Sequence, residues 1–324
     1  MARLAWILLP TSMDTSAQKQ DDTRPGWRAT KGTAHRAGRT VIVTGANTGI
    51  GLHTASLLHS AGNHVVLACR SVRKGGHAVE AIMAQWVASH ATANNEARAQ
   101  AAARLSVEEL DLSSLQSVAQ FARRWYSVAP LRPVHGLVLN AGVNGFGGID
   151  QRRTKEVGGH VCVAVCGSVG SLSHHRWTST AIQGINMVYG VNFVGHAALT
   201  LWMLDALRAS GPSGARVVAL SSTTHRTADG NFTAAATTPG AINYGNSKLA
   251  LTVWGIHLQR LLNTCGITNV VCVSANPGSV ASDIWRRLPR VAQWVIDHIM
   301  LSPVQVRAAT CLPTRIVCVV VCEG

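Results

Sequence analysis

The sequence has no run of the roughly 18 apolar residues that a membrane-spanning helix requires. The apolar stretch Leu4–Leu9, behind Arg3, is too short for the core of a secretion signal. Eight cysteines are present, yet none falls in a CxxC pair: Cys162 and Cys166, like Cys318 and Cys322, are four apart. That spacing excludes a zinc knuckle, and nothing resembles a secreted disulfide framework, so no metal is expected. Cys69 and Cys272 stand in apolar runs, where a reduced thiol acts as a small hydrophobe. Acidic residues are scarce, 15 against 29 Lys and Arg, for a net charge of +14. Lys and Arg are scattered and no aromatic residues interleave with a basic run, which argues against nucleic acid; part of the charge suits a polyanionic cofactor. These absences point to a cytoplasmic protein. The alternative is organelle import through a disordered leader at 1–38, against which Asp14, Asp21 and Asp22 count.

What is present is a rhythm. Thr40–Val43 reads as a buried strand, Thr44–Gly51 as a glycine-rich turn spaced GxxxGxG, and the next residues to about Ala61 as a helix. Glycines in a strand–turn–helix context let the backbone approach a pyrophosphate at the helix N-terminus. A second strand, His64–Ala68, ends at Cys69-Arg70 without the acid that would accept bonds from a free ribose. Arg70, with Arg73 and Lys74 nearby, suits a 2′-phosphate, so NADP is preferred over NAD. Helix is expected over 72–103, with strands at Leu105–Leu110, Val134–Leu139, Arg216–Leu220 and Val270–Ser274. Asp111 or Ser113 is placed to cap the helix that runs to about Ser127. A helix is expected from about Thr180 to Ala209, then a polar loop over 223–242 and a helix from Tyr244 to about Asn263. The alternation predicts one α/β domain, a Rossmann-type doubly wound parallel sheet of six to seven strands with helices on both faces.

Tyr244 and Lys248 lie one helical turn apart. An ammonium about 4 Å from a phenol favours the phenolate by roughly 4 kcal/mol at an effective dielectric near 20. That would bring the tyrosine, unperturbed near 10, toward the range of a general acid/base.

Thr44–Gly51, Asn140-Ala141-Gly142, Ser222, Tyr244-xxx-Lys248 and Pro277-Gly278 occur in the order found in short-chain dehydrogenases/reductases, and the chain resembles that family. Leu110–Leu115, Gly190–His196, Tyr244–Ala250 and Pro277–Val280 look like its retinol-dehydrogenase and WW-domain-oxidoreductase branch. The resemblance implies an NADP(H)-dependent oxidoreductase that interconverts a small apolar alcohol and its aldehyde or ketone. It implies Tyr244 as proton donor/acceptor, Lys248 as its partner and ribose ligand, Ser222 as holder of the substrate oxygen, and Asn192 in a kinked helix supporting a proton relay. Gly45, Gly49, Ile50 and Gly51 would contact the diphosphate, Arg70 the 2′-phosphate, and Asn47 and Thr48 would also bind the cofactor. Asp111 and Leu112 would meet the adenine, Asn140, Ala141 and Gly142 the ribose side, and Pro277, Gly278 and Val280 the nicotinamide. A homodimer through the helices of Asn192 and Tyr244 is also implied.

Two segments depart from the family. Residues 140 to 192 are 192 − 140 = 52 positions apart, longer than the family needs, and about 149–178 reads as an insertion. The family's last strand is missing after about Gln305, and 311–324 forms an atypical tail whose Val/Cys/Gly-rich composition matches the insertion. Arg315–Cys322 is the candidate substitute strand at an edge otherwise left open. The domain is thus expected over 39–310. The alternative function is an inactive NADP-binding scaffold without a competent substrate pocket.

Overall fold

The computed structural model describes residues 38–128, 131–144, 154, 184–237, 243–278 and 280, and the backbone of 319–321. The 1–38 leader (all but its last residue), the 149–178 segment (all but Thr154) and the 311–324 tail (all but 319–321) lie outside them.

Seven strands form one sheet in the order β3-β2-β1-β4-β5-β6-β7. They are β1 Thr40–Thr44, β2 His64–Cys69, β3 Leu105–Glu109, β4 Gly136–Leu139, β5 Ala215–Leu220, β6 Val270–Ala275 and β7 Val319–Val321. The first six pair in parallel. Parallel strands need covered faces, and their side chains show it. In β1, Val41 and Val43 pack with Ala55 of α1 (Gly49–Ser60) and with Ala78 and Ile82 of α2 (Val72–Ser89). The intervening Ile42 faces the opposite layer, with Val118, Phe121 and Trp125 of α4 (Leu115–Tyr126). Leu199 of α6 (Gly195–Trp202), Leu207 of α7 (Leu204–Arg208) and Leu251 and Leu258 of α9 (Asn243–Thr264) complete that layer. Each such buried Val, Ile, Leu or Phe side chain contributes about 1.5–3 kcal/mol.

The expected helix over 72–103 is two helices. α2 stops at Ser89, and α3 (Asn95–Ala103) starts afresh where the Asn94 carboxamide accepts the Ala97 amide. Neither Asp111 nor Ser113 caps α4. Ser114 does, accepting the Ser117 N–H, because Asp111 Oδ1 is held by the Ser113 N–H and hydroxyl. The polar loop contains a 3-10 turn, Thr223–Thr227, and the short helix α8, Phe232–Thr237. The expected helix to Ala209 is interrupted: α5 (Met187–Tyr189) passes into a π-helical turn, Gly190–Val194, before α6, and α7 restarts after Met203.

The candidate substitute strand forms over three residues. β7 pairs antiparallel with β6, Val319 opposite Ala275 and Val321 opposite Val273, and covers an edge that would otherwise offer open amides and carbonyls.

Candidate functional site

In an open α/β sheet the ligand crevice lies beyond the strands' C-terminal ends, where the connections switch direction. Here β1 lies between β2 and β4, and a cavity of about 850 Å³ opens at that point. Its wall comes from the ends of the six parallel strands in turn: Gly45, Asn47, Thr48, Gly49 and Ile50 after β1, Arg70 after β2, and Asp111 and Leu112 after β3. Asn140, Ala141 and Gly142 follow β4, Ser222 follows β5, and Pro277, Gly278 and Val280 follow β6. Tyr244 and Lys248 reach it from the first turns of α9.

The glycine-rich turn is shaped for a close backbone approach. Gly45 has φ +64°, and a Cβ there would fall 2.9 Å from the Ala141 Cα. Gly49 has φ +56°. The Thr48 side chain does not cap α1, and its first turn carries no acid, so the positive end of the helix faces the cavity. Gly51 does not line the wall. A Cβ at Gly51 would come 2.4 Å from Asn140 Nδ2 and 2.5 Å from the Gly45 carbonyl, so this glycine lets α1 pack onto the β1 and β4 ends. Asn140 acts in the same seam: its Nδ2 donates to the Thr44 carbonyl at 2.8 Å.

At the far end, Arg70 is joined by Ser71, Lys74 and His77. Arg73, named with Arg70 from the sequence, does not line the cavity, whereas His77 does. Lys74 and His77 stand three apart on α2, one helical turn, and that spacing was a readable signal.

Tyr244 is partly buried. It is followed by Gly245, where a Cβ would lie 2.7 Å from the Thr224 carbonyl, so only glycine lets α9 approach the 3-10 turn. That approach sets the Tyr244 hydroxyl near the Ser222 side chain. The turn is fixed by the Thr224 N–H donating to Ser222 Oγ at 3.3 Å and by the His225 ring N–H donating to the Ser222 carbonyl.

Burial pushes the Tyr244 phenol up to about 12, with the neighbouring Ser222 hydroxyl pulling the other way. This corrects the expectation that Lys248 lowers it. The Lys248 ammonium is 5.8 Å from the Tyr244 ring centre and donates to the Leu220 carbonyl at 2.8 Å. Lys248 itself is 3% exposed, and burial lowers it to about 8.

Asn192 is fully buried within the π turn and does not line the cavity. Its Oδ1 accepts the Val143 N–H at 2.8 Å, and its Nδ2 donates to the Val143 carbonyl at 2.9 Å and to Ser247 Oγ at 3.0 Å. It thus clamps the backbone that continues the Asn140-Ala141-Gly142 turn. Among the described residues, no group of three or more His, Cys, Asp or Glu is placed to hold a metal, and no helix is long and apolar enough to cross a membrane.

A doubly wound sheet, a glycine turn at its switch point and a Ser–Tyr–Lys cluster in the same crevice define a dinucleotide-fold enzyme scaffold. The short chain dehydrogenase family model matches residues 39–292, and the chain belongs to that family, in its retinol dehydrogenase-like branch. It is similar to polyprenol dehydrogenase of Mus musculus, 34% identical over 265 residues that cover 80% of this chain and 64% of that protein. It is likewise similar to retinol dehydrogenase 11 of Homo sapiens, 31% identical over 278 residues, 84% of this chain and 71% of that one. The chain therefore spans less than two thirds of the mouse polyprenol dehydrogenase's length. The same fold is seen in a short-chain dehydrogenase from Sphingobium yanoikuyae in complex with NADPH, with TM-score 0.53, 18% identity and 85% and 83% of the two chains covered.

Proposed function

We propose that this chain is an NADP(H)-dependent oxidoreductase acting on an apolar alcohol or its carbonyl counterpart. The observation that carries the reading is the joint lining of one cavity by the Gly45–Ile50 turn, by Arg70 and Lys74, and by Ser222, Tyr244 and Lys248. The residues fit a dinucleotide: backbone shaped by Gly45 and Gly49 and the uncapped α1 end suit a diphosphate, and Arg70 with Lys74 suits a 2′-phosphate. Met187, Val143 and Val191 in the same wall favour an apolar substrate. The names of the relatives, retinol and polyprenol dehydrogenases, support the same substrate class.

When bound, a nicotinamide would supply or accept the hydride. The chain's own part is proton handling and positioning. Ser222 holds the substrate oxygen beside the Tyr244 hydroxyl. A phenol near 12 keeps its proton at neutral pH, so in this arrangement Tyr244 is ready to donate a proton to a carbonyl oxygen as it is reduced. Acting as a base in the opposite direction requires the Lys248 ammonium to leave Leu220 and approach the phenol.

The test is NADPH oxidation, with NADH in parallel, against a panel of long-chain and polyene aldehydes. Turnover is expected, with NADPH preferred, and Tyr244→Phe should lower kcat by about 10²–10⁴-fold. Binding of NADPH without turnover on any aldehyde would instead favour the scaffold reading.

A further inference from the structure

His196 lies outside the cavity wall, in α6, and is fully buried. Two hydrogen bonds fix its ring. Nδ1 meets the Asn192 main-chain carbonyl at 3.0 Å, and Nε2 meets Thr44 Oγ1 at 2.9 Å. A carbonyl only accepts, so Nδ1 carries the proton and Nε2 is the bare nitrogen. Thr44 Oγ1 already accepts the N–H groups of Asn140 at 2.9 Å and Ala141 at 3.0 Å, which leaves its hydroxyl proton for Nε2 or, at 3.2 Å, for the Val138 carbonyl. Of the two the ring nitrogen is nearer. Burial lowers His196 to about 3, so it stays neutral and keeps this tautomer at any physiological pH.

The ring therefore spans two parts of the site. On one side is the end of β1, whose Thr44 holds the start of the Asn140-Ala141-Gly142 turn. On the other is the π turn, in which the Gly195 N–H reaches back to the Gly190 carbonyl and Asn192 is presented sideways to Val143 and Ser247. π-helical turns in α-helices are rare and concentrate at functional sites.

We propose that His196 is a positioning residue: by bridging Thr44 and the Asn192 carbonyl, it holds the π turn so that the Asn192 carboxamide stays clamped on Val143 beside Lys248. The functional half of this inference rests on the reading of Tyr244 and Lys248 given under Proposed function. The geometric half does not, because the Val143 amide bond to Asn192 Oδ1 can be read directly.

Three variants separate the two contacts. His196→Asn keeps a donor at the Nδ1 position, His196→Gln keeps a polar atom at the Nε2 position, and His196→Phe keeps only the ring shape. Hydrogen exchange at Val143 in the full chain, with Asn192→Ala as the reference for a lost clamp, reports the geometry whether or not any substrate is turned over. Steady-state kinetics with NADPH and a reactive aldehyde report the consequence. Exchange at Val143 should rise in His196→Phe and His196→Gln toward the Asn192→Ala level, while His196→Asn retains most of the protection. In the same order, kcat should fall by about 10- to 100-fold with KM little changed, as for a displaced catalytic group, and His196→Asn should recover the larger share. Wild-type protection at Val143 in His196→Phe, or loss in His196→Asn with retention in His196→Gln, would overturn the proposal. If His196→Phe does not fold, the Asn and Gln variants still decide it. If the wild type turns nothing over, the exchange data alone decide it, and only the catalytic reading has failed.

Discussion

Burying Lys248 costs stability in a way that pH can read. The unfolded chain holds the lysine proton up to about 10.5, whereas the folded protein holds it only to about 8. Below pH 8 both states carry the charge, and the folded state bears the whole desolvation cost. Between 8 and 10.5 the folded state sheds the proton while the unfolded state keeps it, so folding stability rises with pH. Above 10.5 the term has vanished. A gap of 10.5 − 8 = 2.5 units corresponds to about 3 kcal/mol at full burial. Lys248→Met removes this pH-dependent term and also deprives the Leu220 carbonyl of its 2.8 Å partner, a loss of about 1–3 kcal/mol that does not vary with pH. The variant should thus equal or exceed the wild type in stability at pH 7 and fall below it at pH 10.5. The difference between the two proteins should swing by about 3 kcal/mol across the window. Urea unfolding of both at half-unit steps from pH 7 to 10.5 measures it, and groups common to both proteins cancel. The Tyr244 phenol, near 12, titrates above the window. A flat difference would show that Lys248 is solvated or paired in the folded protein and would refute the reasoning.

Arg70→Ala should weaken NADPH binding by about 10- to 100-fold, the worth of a charge-assisted bond, and leave NADH nearly unchanged. Fluorescence titration of both cofactors checks this, and equal weakening would count against a 2′-phosphate contact. Gly195→Ala should cost about 1–3 kcal/mol, since the new methyl would lie 2.3 Å from the backbone carbonyl of Leu112, which cannot swing aside as a side chain would. Its counterpart is Gly76→Ala in α2, where nothing lies within 4 Å of the added Cβ and the helix should gain about 0.5–1 kcal/mol. Thermal unfolding of the pair should therefore move in opposite directions.

The strands could be read from the sequence because parallel strands buried on both faces are short continuous apolar runs, as in Val65–Cys69. The cavity wall could be read because most of it follows strand ends directly, so that motif order maps onto space. The errors occur where a distant atom decides. The spacing of Tyr244 and Lys248 places two residues on one helix face, but it does not choose a rotamer, and the Leu220 carbonyl, 28 residues away, takes the ammonium. Asp111 has the chemistry of a cap, yet its carboxylate is engaged by Ser113, and the role passes to Ser114. The restart of α3 was readable in Asn94, a good N-cap, but was hidden by the helix-favouring alanines that follow. The π turn leaves no composition signal. Its supports, Thr44, Val143, His196 and Ser247, come from four separate segments.

The pairing of β7 with β6 also bears on the order of events during synthesis. β6 ends at Ala275 and its neighbour begins at Val319, a separation of 319 − 275 = 44 residues. At about 5–20 residues per second, a ribosome needs roughly 2–9 s to add them. For that interval the five preceding strands and β6 can already be assembled, with the outer amides and carbonyls of β6 open to any extended chain nearby. The nascent protein therefore passes through a sticky stage whose length is set by translation speed. Slowing the ribosome over this stretch would lengthen the exposure, while the finished molecule would be unchanged.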